Sequence, residues 1–181
     1  MDDGVHSAAG PLSVSALLQL CPDDKQPDGD GGFFSLRFGA EHGVVSMAEE
    51  LQGAMVRKGA KAQIVNMAAG GDIDTTVFEG IERASTFVVF GSAGYGEDTG
   101  NQACTYYEYK HAFALKKRIV LLRLIPFDQE FDNLQARVIF NANKLVIPWM
   151  LGTPMPADLV DKIVEAMELD HPPAAAALTG V

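Results

Sequence analysis

The sequence predicts an α/β domain built on a doubly wound, five-stranded parallel sheet. Three observations lead there. Short apolar runs alternate with segments whose apolar residues recur every three or four positions, the signature of strands alternating with helices. Several runs are apolar at consecutive positions, as in Thr86-Phe87-Val88-Val89-Phe90, which marks strands covered on both faces. The 181 residues, 48% of them apolar, suffice for one core of ordinary size with tails to spare.

Phe33 to Phe38 is a β-rich run closed by Gly39, the first strand. Val44, Met47, Ala48, Leu51 and Met55 then form one helical stripe, and Gly59 is its stop signal. Ala62–Val65 is the second strand, followed by a Gly-rich loop from Asn66 to Asp74. Val77, Ile81 and Ala84 predict the next helix, with Thr76 and Glu79 spaced as a capping box at its start. Thr86–Phe90 is the third strand, a helix spans about Gln102 to Lys116, and Arg118–Ile125 is the fourth strand. Lys144–Trp149 supplies the fifth, and a last helix runs from near Pro156 through Leu159, Ile163 and Met167. The domain therefore covers 33–169. Residues 1–32 read as an extension and linker, rich in Asp, Gly and Pro from Pro22 onward, and 170–181 as a loose tail.

The formal charge of −10 argues against nucleic acid or an anionic membrane surface as partner, since both require a basic face. Two cysteines, Cys21 and Cys104, make no metal or redox spacing, and His42 and His111 have no partner at ligand spacing, so no metal is expected. Met1-Asp2-Asp3 lacks the basic start of a signal peptide, and the apolar run Val14–Cys21 is too short to span a bilayer. A cytoplasmic location is the expectation.

In such folds ligands bind at the carboxyl ends of the strands, where strand order reverses. In a flavodoxin-like 2-1-3-4-5 order that point lies between strands one and three. The loops to inspect are Arg37 to Gly43 and Gly91 to Asp98. The first lacks the Ser/Thr/Gly phosphate loop of a flavodoxin, and Gly91-Ser92 stands where a receiver domain needs an aspartate. Gly91-Ser-Ala-Gly-Tyr-Gly has neither the order nor the strand of a dinucleotide fingerprint, which argues against hydride transfer.

Glu108 is the main candidate for chemistry. Its helical stripe holds Cys104, Ala112 and Leu115, so it sits on a fairly apolar face with no basic residue four positions away, although His111 stands at i+3. A carboxylate at the edge of a pocket acquires a raised pKa and can position polar groups. Arg37 projects near the pocket mouth, suited to a pyrophosphate or ribose oxygen. Phe38 can stack on a base, Gly39 closes the strand, and Ser92 and Tyr95 are candidate pocket residues. For Arg37, Phe38 and Ser92 a plainer role exists: a solvated arginine, a core aromatic, a turn serine.

The ordered set Gly71-Asp72-Ile73, Ile81-Glu82-Arg83-Ala84-Ser85, Phe87-Val88-Val89-Phe90-Gly91-Ser92, Tyr95 and Ala103-Cys104-Thr105-Tyr106-Tyr107-Glu108 resembles the TIR (Toll/interleukin-1 receptor) family. Phe33-Phe34-Ser35-Leu36-Arg37 looks like its first-strand box, and the match runs in order across nearly the whole domain. The resemblance implies a TIR-like fold, a signalling or immune role, and cleavage of the nicotinamide–ribose bond of NAD⁺ with Glu108 as the catalytic glutamate. NAD⁺ would be substrate, with no cofactor. It implies that Ala69, Gly70, Gly71 and Asp72 lie in a BB loop used in self-association, making a homo-oligomer. Cys104 stands where a tryptophan often precedes the glutamate, the only tryptophan being Trp149, and Asn66 stands where an aspartate is frequent. Two other readings remain: a catalytically silent TIR module that works by binding, and a related ribosyl-transfer enzyme such as a nucleoside deoxyribosyltransferase.

Overall fold

The computed structural model describes residues 31–39, 42–65, 73–141 and 145–168. Most of the predicted N-terminal extension, the tail and the expected BB-loop residues Ala69, Gly70, Gly71 and Asp72 lie outside them. Among the described residues, five strands alternate with five helices. They are β1 (Gly32–Ser35), α1 (Val44–Arg57), β2 (Ala62–Ile64), α2 (Ile73–Arg83), β3 (Thr86–Gly91), α3 (Thr105–Ala114), β4 (Arg118–Arg123), α4 (Leu134–Asn141), β5 (Val146–Pro148) and α5 (Leu159–Glu168). All pairings are parallel, and the strands lie in the order β2-β1-β3-β4-β5. This is the predicted doubly wound sheet.

Alternate residues of each strand enter opposite cores, as the twofold strand repeat requires. Phe34, Val88, Phe90, Val120, Leu122 and Ile147 pack under α1 and α5 with Trp149. Phe33, Phe87, Val89 and Leu121 pack on the other face under α2, α3 and α4. Each large side chain so buried contributes about 1.5–3 kcal/mol. Trp149, just past β5, is fully buried, its indole N–H donating to the Thr153 carbonyl at 3.2 Å. Chain order reverses between β1 and β3, so the crevice lies above Ser35 and Gly91.

Three elements differ from the sequence expectation. The α2 helix starts at Ile73, so Thr76 stands inside it and Thr76 with Glu79 is no capping box. Asp74 is instead the acidic residue of its first turn, where the helix dipole favours a negative charge. The helix before β4 is shorter than expected, with Cys104 as its N-cap and Leu115 as its C-cap. A helix absent from the sequence reading, α4, lies between β4 and β5. Its apolar residues fall on both faces, with Leu134 and Val138 exposed and Ala136, Ile139 and Phe140 buried, and this blurs the period.

Helix α4 also explains a glycine. A Cβ on Gly91 would overlap the Phe140 ring, so the end of β3 has no room for any side chain. Gly91→Ala is expected to cost about 1–3 kcal/mol through this overlap. Urea unfolding should show a lower midpoint at an unchanged slope.

Candidate active site

Ser35 closes β1 at its pairing with β3, and there a hydroxyl appears in a strand otherwise filled by phenylalanine. Its Oγ donates to Glu108 Oε2 at 2.5 Å. The Tyr95 hydroxyl lies 2.8 Å from the same Oγ. Because Ser35 has a single hydrogen and gives it to Glu108, Tyr95 must be the donor in the second bond. Three segments that are distant in sequence are thus joined by one directed chain, Tyr95 to Ser35 to Glu108.

Glu108 lies in the first turn of α3 and is only 6% exposed. Two influences oppose each other there. The helix N-terminus and the Ser35 hydroxyl favour the ionised form, the dipole by about 0.3–1 kcal/mol. Removal from water disfavours a charge by far more. Burial wins, raising the Glu108 carboxyl from 4.5 to about 8, with the Ser35 hydrogen bond holding it partly back. Burial, and then the nearby Glu108 carboxylate, also push the Tyr95 phenol well above 10, so it remains a donor.

Glu108 opens onto a cavity of about 230 Å³. Its apolar wall is formed by Phe33, Leu36, Val65, Ile73, Val77 and Ala103, and its polar residues are Arg37, Glu97, Thr99, Asn101, Thr105 and Glu108. Arg37 is half-buried: one guanidinium nitrogen ion-pairs with Glu97 and another donates to the Gly94 carbonyl at 3.4 Å. The segment from Gly96 to Cys104 arches between these residues and α3. It is pinned where the Gly96 N–H donates to Thr105 Oγ1 at 3.1 Å.

The structure thus brings Glu108, Arg37, Phe38 and Cys104 to one cavity. Phe38 stands at its rim, 40% exposed, so it is not a core aromatic. Tyr95 lies behind Glu108, buried in the core, and reaches the site only through Ser35. Two other expected residues do not line the cavity. Ser92 is buried in the turn after β3, its N–H donating to the Phe90 carbonyl and its own carbonyl accepting from the Tyr95 N–H. Gly39 is exposed at φ +83°, a left-handed conformation that suits glycine, with no side chain near it. His111 lies against Glu82 (3.4 Å) instead of Glu108. Among the described residues no three potential metal ligands gather, and no helix is long and apolar enough to cross a membrane.

Sequence reasoning misses Ser35 and Glu97. A hydroxyl inside a doubly covered strand is a signal for the first, since a buried polar group needs a partner. Nothing local marks the second, because its partner is Arg37.

No family model matches this chain, nor does any curated protein. Among solved structures, the RPS4 and RRS1 TIR domain heterodimer shares 15% identity, with 78% of this chain and 97% of that chain covered at a TM-score of 0.50. The TIR domain of the Toll-related receptor TRR-2 of Hydra magnipapillata shares 13%, covering 65% and 83%, at a TM-score of 0.44. The CMP N-glycosidase BcmB of Clostridium botulinum shares 16%, covering 76% and 98%, at a TM-score of 0.45. The first of these shows the fold alone: an α/β fold like that of TIR domains.

Two outcomes test this account of the site. Ser35→Ala removes the hydrogen bond that favours the carboxylate, so the Glu108 titration, followed by carbon-13 NMR, should move above about 8. Protein stability should also respond to Glu108. A folded-state pKa raised by burial contributes stability below the unfolded value, which is lost as pH rises to the folded one. Unfolding free energy should therefore fall between pH 4.5 and about 8, by up to about 1.4 kcal/mol per pH unit. Denaturation of Glu108→Gln across that window should lack this component of the slope.

Proposed function

We propose that this chain is a TIR-type NAD⁺ glycohydrolase or cyclase, cutting the nicotinamide–ribose bond to give nicotinamide and ADP-ribose or a cyclic ADP-ribose. The observation that carries this reading is the buried carboxyl of Glu108, held by Ser35 at the wall of a mainly apolar cavity. Breaking an N-glycosidic bond develops oxocarbenium character at the ribose, which a fixed carboxylate stabilises electrostatically or traps as a nucleophile. Nicotinamide leaves as a neutral molecule, so a second carboxyl acting as a strong acid is not required.

The charge of the substrate fits the state of the site. The nicotinamidium ring of NAD⁺ is cationic, and an opposite charge within about 4–6 Å favours the ionised carboxylate. A Glu108 that is largely protonated when the cavity is empty becomes ionised as the ring enters. Ser35 occupies Oε2, so Oε1 is the oxygen available to the ribose. At about 230 Å³ the cavity is smaller than the roughly 300–1,000 Å³ of common ligand pockets. It suits the nicotinamide riboside half of the dinucleotide, with the rest outside the mouth. Phe38 offers an aromatic face at that mouth, and Arg37 offers donors to a ribose oxygen.

A second reading is a silent TIR module that acts by association. Cys104 favours it, since a thiol at the cavity wall supplies no aromatic surface where the family often has tryptophan. The solved TIR structure of similar fold is a heterodimer, and self-association of this chain is compatible with either reading.

Concentrated protein incubated with NAD⁺ should release nicotinamide, and Glu108→Gln should lower that rate by at least about a hundredfold while the fold persists. The pH profile carries a sign. kcat/KM reports groups of the free enzyme, so it should rise about tenfold per unit below pH 8 and level off above. The kcat profile should turn at lower pH, because the bound cation favours the carboxylate. Turnover unaffected by Glu108→Gln would overturn the assignment. Concentration-dependent assembly with no nicotinamide release would favour the silent module.

A further inference from the structure

Arg37 is the one arginine lining the cavity, and an arginine at the mouth of a nucleotide site is ordinarily read as a phosphate anchor. Its surroundings here point elsewhere. Glu97, also lining the cavity, is ion-paired with it, and the Gly94 carbonyl accepts from its other arm. Gly94 has no Cβ, and one built there would collide with the guanidinium, so Arg37 is seated closely against this turn. Among the described residues, the charged groups lining the cavity are Arg37, Glu97 and Glu108. The first two cancel, and the third adds a negative charge whenever it ionises.

We infer that Glu97 is a specificity-determining residue: it neutralises Arg37, so the cavity selects an N-glycoside whose enclosed part is uncharged or cationic and disfavours one that brings a phosphate inside. The proposal rests on the reading of this cavity as an N-glycoside site and goes beyond it by assigning the charge class it admits. A phosphate at Arg37 must displace the Glu97 carboxylate or lie beside it, and like charges that close oppose binding. The pair is not deeply buried, with side-chain exposures of 30% and 41%, so the discrimination is modest and removable. Arg37 retains its role as a hydrogen-bond donor to ribose oxygens.

The test has two arms on the full chain. In the first, calorimetry measures inorganic pyrophosphate binding to the native protein, to Glu97→Gln and to Glu97→Gln with Arg37→Gln. Glu97→Gln should bind about tenfold more tightly than the native protein, and the gain should vanish in the double variant. Equal affinity in native protein and Glu97→Gln overturns the proposal, as does a gain that survives loss of Arg37. In the second arm, nicotinamide release from NAD⁺ is followed for the native protein and Glu97→Gln as inorganic pyrophosphate is added. Pyrophosphate should inhibit Glu97→Gln at about tenfold lower concentration than the native protein. An unshifted inhibition overturns the assignment of Glu97, with the glycosidase reading intact. A pyrophosphate gain with no nicotinamide release from any form leaves Glu97 as the charge selector and removes the glycosidase reading instead.

Discussion

The hydrogen bond from Ser35 to Glu108 is the contact on which the site depends. It ties the carboxyl end of β1 to the first turn of α3, across 73 residues of sequence. Tyr95 extends it to the loop after β3. These segments flank the point at which the sheet reverses its winding, so one chain of three polar groups fixes the strand end, the helix and the loop around the crevice. Its members are buried, and each would be left with an unsatisfied polar group if the others moved. Such networks are rigid when complete and costly when broken.

The chain also sets the protonation of the site. A carboxyl in the first turn of a helix, bonded to a hydroxyl, would ordinarily be held in its charged form. Here the apolar surroundings outweigh both influences, and the group is largely neutral near pH 7. Arg37, the cation that could have reversed this, is turned toward Glu97 and Gly94. The cavity thus separates its two carboxylates by role. One is part-exposed and ion-paired with Arg37. The other is buried, held on one oxygen, and responsive to whatever charge arrives beside it. A pair of titratable groups placed in such different environments is a common way for a fold to build acid–base or electrostatic chemistry.

The parts legible in the sequence were those governed by local patterns. Five strands followed from runs such as Thr86–Phe90, and the inward face of α3 from the spacing of Glu108 and Ala112, although Leu115, read on the same stripe, is exposed. The carboxyl ends of the strands followed from topology alone. What was illegible depended on pairing at a distance. Nothing within Phe33 to Phe38 says that Ser35 meets Glu108, and nothing within Gly91 to Asp98 says that Glu97 meets Arg37. Helix α4 was hidden because Leu134 and Val138 point outward, so its stripe does not stand out. Thr76 with Glu79 had the right spacing for a cap, but α2 begins three residues earlier.

The end of β3 shows how packing narrows the chemistry this fold can perform. Doubly wound domains of this order can place a reactive aspartate or a phosphate-binding loop at such strand ends. In this chain the position is Gly91, and the Phe140 ring occupies the space a side chain would take. Phe140 belongs to α4, which packs on the same face of the sheet as α2 and α3. No carboxylate can stand at the end of β3 without displacing that ring. Among the described residues, the buried carboxyl at the crevice comes from outside the sheet, from α3, and β1 offers it a partner through Ser35. Glu108 is thus held by the Ser35 hydroxyl at the wall of the cavity. Such a site suits stabilising charge that develops on a bound sugar better than it suits gripping a phosphate.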